Sequence, residues 1–197
     1  NAFQSYAFLK SYNKETTGKK VAALGTTYLE PVGIYSKKYK SVKDLPNGAS
    51  VGISSNPANG ARELLLLQSA GLIKLKKGFS TFGTLRDITS NPKHIKIKEI
   101  DEDSAARFLP DFDAVLISNT IALEAKLNVL KDSIYHEHAS ASTRGNINVL
   151  ATAASKKNDA TYKKLVKLYH EPAIQKWIKQ EFKGTKVEVK RPLSYLK

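Results

Sequence analysis

The alternation of apolar and polar residues predicts a chain built from short strands and helices. Segment 48–54 reads GASVGIS, and its apolar Val51 and Ile53 have the spacing of a strand. A loop of sequence SNPANG follows, and then a helix is predicted from about Ala61 to Ala70, with Gly71 in the position that follows a helix end. The pattern therefore predicts a strand, a loop and a helix in direct succession.

Other segments continue this alternation. Spaced isoleucines in 94–100 predict a half-exposed strand, whereas the continuous apolar runs at 113–118 and 147–154 predict strands buried on both faces of a parallel sheet. Two helices with apolar stripes are predicted at 159–170 and from Pro172 onward. We therefore expect an α/β fold, in which ligands bind at the carboxyl ends of the parallel strands.

The start of the chain is unusual for such a fold. Residues 1–13 predict a helix that no strand precedes, although the first strand of an α/β fold is usually central. The chain begins with Asn1 and has no methionine, so we expect a processed form or a fragment that lacks an upstream element. No run of about 18 apolar residues is present, so no membrane-spanning helix is predicted.

Charge and cysteine content narrow the function classes. Without cysteine, disulfide scaffolds, zinc–cysteine sites and thiol catalysis are excluded. The net charge of +14 comes mostly from lysines that are spread along all 197 residues. Nucleic-acid binders usually concentrate arginines and aromatic residues on one face. The spread of lysines in this chain differs from that pattern and favours a generally basic surface. A basic module that binds nucleic acid or another polymer is the alternative from this evidence.

Arg62 is the first candidate binding residue. It lies in the first predicted turn of a helix, where its charge opposes the helix dipole and therefore requires a compensating anion. The guanidinium can hold a carboxylate through two parallel hydrogen bonds, and Asn56 or Asn59 could cap the same turn. The alternative is that Arg62 pairs with Glu63 or Glu99, or that it lies on the surface.

Two asparagines are further candidates. Asn119 follows the apolar run at 113–118, where a polar group could meet a ligand, although this stretch could equally be an ordinary helix N-cap. Asn148 lies within the apolar run at 147–154, so its side chain must be hydrogen-bonded, either to backbone or to a ligand.

Motifs for catalysis are absent from the sequence. The alternate histidines of YHEH, at 135–138, could share a metal ion, but a solvated loop explains them better. We find no Ser-His-Asp pattern, no paired carboxylates and no glycine-rich phosphate loop. We therefore predict a protein that is not an enzyme and that has no catalytic residues, cofactor or metal ion.

Several long segments resemble one protein family. They are NAFQSY, YLEPVGIYSKKYKSVKDLPNGASVGISSNPANGARELLLLQSAGLIKLKKG, TLRDITSNPKHIKIKEID and DAVLISNTIALEAKL, with a looser match through NINVLATAASKK. In this order they resemble the NlpA family, the methionine-binding lipoproteins of bacterial ABC importers. The resemblance implies a two-lobed, type 2 periplasmic-binding-protein fold. It also implies an extracytoplasmic location, a lipid anchor outside this chain and the importer's membrane subunits as partners.

The resemblance also assigns ligand-binding residues. Phe3 matches an aromatic residue that packs on the ligand's thioether, and sulfur against a ring is a favourable contact. Arg62 matches the arginine that holds the α-carboxylate, and Asn119 and Asn148 match asparagines that bind the amino-acid backbone groups. These roles imply L-methionine, or a close relative, as the ligand.

Three departures from the family pattern bear on the ligand. Ser5 stands where members usually have histidine, and Asn146 stands where they usually have tyrosine. Both changes would lie near the ligand, so a methionine-containing dipeptide is the alternative ligand. The family's first segment, with a further ligand tyrosine and the anchor cysteine, has no counterpart in this chain.

The resemblance finally implies a division into two lobes. One lobe would comprise residues 1–40 and 119–197, and the other would comprise residues 41–118. The strands that cross from one lobe to the other, near Ser36–Lys40 and Ile117–Asn119, would act as hinges when the lobes close over the ligand.

Overall fold

The computed structural model describes residues 1–2, 4–80, 83–140 and 142–196. Within these ranges it has both helices and strands, as the α/β prediction requires, and no helix is long and apolar enough to cross a membrane. The α-helices are α1 (Tyr6–Glu15), α2 (Pro57–Ser69), α3 (Asn119–Glu124), α4 (Ala160–Tyr169) and α5 (Pro172–Glu181).

The strands are short. They are β1 (Gln4–Ser5), β2 (Val21–Thr26), β3 (Tyr28–Leu29), β4 (Gly33–Tyr35), β5 (Ser50–Ser54), β6 (Lys74–Leu75), β7 (Ile88–Ser90), β8 (Lys96–Ile100), β9 (Ala114–Ile117), β10 (Tyr135–His136), β11 (Asn148–Ala153) and β12 (Val187–Glu188).

The chain forms two compact units. Unit 1 comprises Asn1–Glu30 and His138–Lys197, and unit 2 comprises Pro31–Glu137. These boundaries differ from the expected division at residues 40 and 118. The physical reason is strand pairing, because β4 pairs with β9 and β10 pairs with β4, which holds both flanking segments in the sheet of unit 2.

Unit 2 is built on a five-stranded sheet of order β10-β4-β9-β5-β8. Strand β5 runs parallel to both of its neighbours, β8 and β9, whereas β4 runs antiparallel to β9. The apolar face of α2 packs on this sheet, and Leu64, Leu67 and Ile53 are almost completely buried there. The predicted strands at 94–100 and 113–118 are confirmed as β8 and β9.

Helix α2 begins four residues earlier than predicted. The side chain of Asn56 accepts hydrogen bonds from the backbone N–H groups of Ala58 and Asn59, so Asn56 is the N-cap. Pro57 occupies the first helical position, where its fixed φ is favourable and its missing N–H costs nothing. Gly71, with φ of 76°, follows the helix end as predicted.

Unit 1 contains a three-stranded sheet of order β1-β11-β2. Both neighbours of β11 run antiparallel to it, so the prediction that 147–154 belongs to a parallel sheet is wrong. A continuous apolar run reports burial but not strand direction. Leu9, Ile147 and Val149 form part of the buried core of this unit.

The ends of unit 1 agree in part with the predicted pattern. A short strand, β1, does precede the first helix, because Gln4 and Ser5 pair with β11, and Ser5 then caps α1 by accepting the Phe8 N–H. Pro172 begins α5 as predicted. The predicted apolar stripes are only partly buried, since Leu165 and Trp177 are exposed.

Candidate functional site

Several polar side chains of unit 2 lie at the edge of the sheet where its parallel strands end. Strands β5, β8 and β9 all end at this edge, because β5 is parallel to both neighbours. Strand β4 begins there, since Gly33 pairs with Ile117, and β10 ends there, since His136 pairs with Gly33. The loop before α2, the start of α3 and Glu137 therefore lie at one edge of one sheet, where α/β folds bind ligands.

Arg62 is paired with a carboxylate at this edge. Its Nε donates to Oε1 of Glu137 at 2.9 Å, and its Nη2 donates to Oε2 at 2.5 Å. The Arg62 side chain is 23% exposed and that of Glu137 is 4% exposed. The carboxylate paired with Arg62 is thus a residue of the chain, and it is neither Glu63 nor Glu99. Because α2 begins at Pro57, Arg62 is the sixth residue of the helix and lies in its second turn, so the prediction that it lies in the first turn is wrong.

Glu137 is held firmly by its neighbours. Its backbone N–H donates to the Val32 carbonyl at 3.0 Å, and Val32 N–H donates back to Oε2 of Glu137 at 3.1 Å. The expectation of a solvated loop at 135–138 is therefore wrong in this part, because Tyr135 and His136 form a strand and Glu137 is buried. Sequence reasoning missed Glu137, since no local pattern distinguishes it from a surface carboxylate.

A second buried carboxylate lies beneath the loop that precedes α2. Glu63 is 1% exposed and accepts the backbone N–H of Ser54 at 2.5 Å. Burial raises the pKa of Glu63 to about 8, with Glu102 and Glu137 raising it further and the Ser54 N–H and Arg62 acting the other way. Glu63 is therefore a neutral acid at neutral pH, and its proton removes one negative charge from the vicinity of Arg62.

Glu102, which follows β8, forms hydrogen bonds with residues at the end of β5 and the start of α2. Asn59 Nδ2 donates to Oε2 of Glu102 at 2.6 Å, and the Ser54 hydroxyl donates to the same oxygen at 3.3 Å. Asn59 therefore lies inside the helix and binds Glu102, so that of the two predicted capping residues Asn56 makes the N-cap hydrogen bonds. These bonds fix the backbone from which Arg62 extends.

Gly60 permits α2 to approach the end of β5 closely. A Cβ at Gly60 would lie 2.7 Å from the carbonyl oxygen of Ser54, which is backbone and cannot rotate away. We expect Gly60→Ala to lower the free energy of unfolding by about 1–3 kcal/mol, because the helix must shift. Chemical denaturation of Gly60→Ala and of the control Ala58→Gly, on the exposed face of the same turn, tests this. A Gly60→Ala variant as stable as the unmodified chain would contradict the prediction.

Asn119 is placed at the same edge of unit 2. It is the first residue of α3, it is 2% exposed, and it follows β9 directly. Ser118 occupies the N-cap position, but its side chain makes no capping hydrogen bond. Arg62 and Asn119 thus lie in the helices that follow the neighbouring parallel strands β5 and β9.

Unit 1 holds the other candidate residues. Asn148 is buried at the start of β11 and pairs with Ser5 across the β1–β11 ladder. Asn146 is half-buried at the end of the short 3₁₀ helix Arg144–Asn146, two residues away from Asn148. Phe3 lies outside the described residues. The structure therefore brings together Asn148 and Ser5, and the role predicted for Phe3 stays a prediction.

The site in unit 2 contains one guanidinium and two buried carboxylates, those of Glu63 and Glu137. Arg62 extends from the second turn of the thirteen-residue helix α2, and a guanidinium is a donor that binds carboxylates. Among the residues that the structure describes, no group of three or more His, Cys, Asp or Glu side chains is placed to hold a metal ion.

Two solved structures of similar fold are binding proteins by their descriptions. An ABC transporter periplasmic substrate-binding protein from Coxiella burnetii is 35% identical with a TM-score of 0.80, and the match covers 96% of this chain and 78% of that one. A nutrient-binding protein from Burkholderia cenocepacia, solved bound to methionine, is 42% identical with a TM-score of 0.81, covering 95% of this chain and 78% of that one. The fold is therefore that of the periplasmic substrate-binding proteins of ABC transporters.

Sequence comparison gives the family. The NlpA lipoprotein model matches residues 1–190, and the chain belongs to that family. Methionine-binding lipoprotein MetQ of Bacillus subtilis (strain 168) is 37% identical over 194 residues. This match covers 96% of the chain and 69% of that relative, so the relatives contain sequence beyond the part aligned here.

Proposed function

We propose that the protein captures L-methionine outside the cytoplasm and delivers it to an ABC importer. The observation that carries the proposal is the position of Arg62, a partly exposed guanidinium at the carboxyl edge of the sheet in a family of methionine-binding lipoproteins. Arg62 binds the α-carboxylate of the ligand, as an arginine fork binds any carboxylate.

The other contacts in this proposal are to the polar and thioether groups of methionine. Asn119 binds an amino-acid backbone group from the same sheet edge as Arg62. Asn148 binds another such group, and Phe3 packs on the thioether; these two assignments rest on the family resemblance. The amide of asparagine offers both a donor and an acceptor, which suits a zwitterionic ligand.

The proposed setting follows from the relatives. They include lipoproteins and a periplasmic binding protein, so we place this protein at the outer face of the cytoplasmic membrane or in the periplasm, held by a lipid anchor. Its partners are the ligand and the importer's membrane subunits. It performs no chemical step and needs no cofactor, because delivery requires only binding and release.

Two measurements on the purified chain test the proposal. Mass spectrometry of small molecules released by acid should find methionine, and calorimetry should show that methionine binds with a stoichiometry of one. L-methioninol, which lacks the carboxylate, should bind at least about tenfold more weakly, because a hydrogen-bonded charge pair is lost. Equal affinities for methionine and methioninol would contradict the role of Arg62.

Other outcomes separate the alternatives. Release of a methionine-containing dipeptide would show that the protein accepts a longer ligand, which is the alternative that Ser5 and Asn146 suggest. Binding of nucleic acid that weakens steeply with salt, without methionine binding, would favour a basic polymer-binding module and overturn the proposal.

A further inference from the structure

Two consecutive helices of unit 1 leave large apolar side chains in contact with solvent. Leu165 and Leu168 on α4 are 46% and 55% exposed, and Ile174 and Trp177 on α5 are 44% and 57% exposed. In each helix the two residues are three positions apart, so they lie on one side of that helix. Among the residues that the structure describes, these are four of the seven large apolar side chains that are exposed, so the exposure is concentrated rather than scattered.

The opposite sides of the two helices are held in unit 1. Val166 packs on β2 so closely that a Cβ at Gly25 would lie 2.3 Å from its Cγ1. Ile178 on α5 is 7% exposed. Rotation of either helix to bury Leu168 or Trp177 would therefore expose a side chain that is already packed. The exposed apolar residues are a fixed feature of the fold.

The same two helices are basic. From Ala160 to Glu181 the sequence contains five lysines and two glutamates, which is a net charge of +3. All five lysines are exposed, and they are Lys163, Lys164, Lys167, Lys176 and Lys179. We call these lysines, together with the four exposed apolar residues, the α4–α5 face. Exposed tryptophan, leucine and lysine on one helical surface are the composition of a surface that lies on a membrane.

We propose that the α4–α5 face binds the surface of a bilayer that contains anionic phospholipids. The lysine ammonium groups match the charge of the lipid phosphates, and each contributes to the attraction. The leucines and Ile174 enter the outer part of the acyl chains, and Trp177 lies at the level of the headgroups, where tryptophan is favoured. Such a contact is parallel to the membrane and needs no helix that crosses it. This inference goes beyond methionine capture and does not depend on the ligand.

Two other occupants fit the face less well. A second copy of the chain would bring five further lysines against these five, and like charges repel. Nucleic acid would match the charge, and Trp177 could stack on a base. Leucine and isoleucine offer no ring for stacking, however, so three of the four apolar side chains would gain nothing from a base.

Trp177 reports directly on the proposed contact, because it is the only tryptophan in the chain. With vesicles of equal parts phosphatidylglycerol and phosphatidylcholine, its fluorescence should shift to shorter wavelength, and brominated acyl chains should quench it. Vesicles of phosphatidylcholine alone should give little shift, because the lysines then lack an anionic surface. If the protein sediments with the anionic vesicles while the Trp177 emission stays unchanged, the protein binds by another face and the inference is overturned.

Paired lysine variants separate this face from the basic charge of the whole chain. Lys164→Gln/Lys176→Gln should weaken binding to the anionic vesicles at least about tenfold, since two lysines at the contact are lost. The matched control is Lys74→Gln/Lys77→Gln, which removes the same charge at exposed positions of unit 2 and should have a much smaller effect. Equal losses in the two variants would mean that only net charge matters, which contradicts the inference.

Apolar variants test the other half of the contact by sedimentation with the same vesicles. Leu168→Gln/Trp177→Gln should weaken binding at least about tenfold, because two side chains no longer enter the bilayer. Phe8→Gln/Tyr12→Gln removes two exposed aromatic residues of α1 in the same unit and is the control. Methionine affinity should be unchanged in all these variants, so failure of this inference leaves the proposed function intact. Equal vesicle binding by the α4–α5 variant and the unmodified chain overturns the inference.

Two further results would assign the face to another occupant and reject the membrane. One is a dimer in analytical ultracentrifugation that Trp177→Gln abolishes, with a Trp177 emission that depends on protein concentration without lipid. The other is a shift of Trp177 emission on adding a single-stranded oligonucleotide, with no shift on adding anionic vesicles.

Discussion

Arg62→Ala should lower the free energy of unfolding by about 3–5 kcal/mol, because it leaves a buried carboxylate without its counter-charge. Glu137 is the carboxylate affected, since its side chain is only 4% exposed and both its oxygens accept hydrogen bonds from Arg62. Removing one partner of an exposed ion pair would lower the free energy of unfolding much less, because such pairs contribute at most about 1 kcal/mol. The size of the loss therefore reports the burial of Glu137.

The double variant Arg62→Ala/Glu137→Gln provides the control for this prediction. Glutamine is neutral, so it does not need the lost guanidinium, and its side-chain oxygen can still accept the Val32 N–H. The double variant should therefore be more stable than Arg62→Ala in urea unfolding. If both variants unfold at the same urea concentration, the unpaired charge of Glu137 does not cause the loss.

Glu63 should make the protein less stable as the pH rises. Its pKa in the folded chain is about 8, above the ordinary value of 4.5, because burial disfavours the charged form. Below pH 4.5 the acid is protonated in both folded and unfolded chains. As the pH rises toward 8 only the unfolded chain releases the proton readily, so the folded state loses up to about 4 kcal/mol relative to the unfolded state.

The variant Glu63→Gln isolates this effect. Glutamine resembles the protonated acid and keeps an oxygen that can accept the Ser54 N–H. Its stability relative to the unmodified chain should therefore increase as the pH is raised from 4.5 to 8 in a series of urea unfolding curves. Glu99→Gln, at an exposed position, should show no such trend. A constant difference between Glu63→Gln and the unmodified chain across this pH range would mean that Glu63 ionises normally.

Local signals in the sequence predicted the parts of the fold that local chemistry determines. Pro172 marks a helix start because its fixed φ acts locally, and Asn56 was one of two predicted caps, although α2 itself was predicted to begin four residues too late. The apolar run at 113–118 is a buried strand, and Arg62 does lie at the sheet edge where the strand–loop–helix pattern puts it. The α/β class followed from the same alternation.

The missed features depend on partners that are distant in sequence. Arg62 and Glu137 are separated by 75 positions, so no periodicity or motif could pair them. The antiparallel direction of β11 is set by β1 and β2, and an apolar run looks the same in either direction. The unit boundaries depend on β4 and β10 joining the sheet of unit 2, which is again a long-range choice.

The arrangement of the two units has a consequence for the order in which the chain folds. Unit 2 is a continuous segment whose two ends, at Val32 and Glu137, are hydrogen-bonded to each other. Unit 1 depends on contacts across that whole segment, such as the bond from Asn1 to the Ala151 carbonyl, 150 positions away. Contacts between residues that are far apart in sequence form slowly, because a long loop must close first. A unit made of one continuous segment can instead form as soon as its last strand is available. During synthesis we therefore expect unit 2, with the Arg62–Glu137 pair, to assemble first and to shorten the effective loop that unit 1 must close.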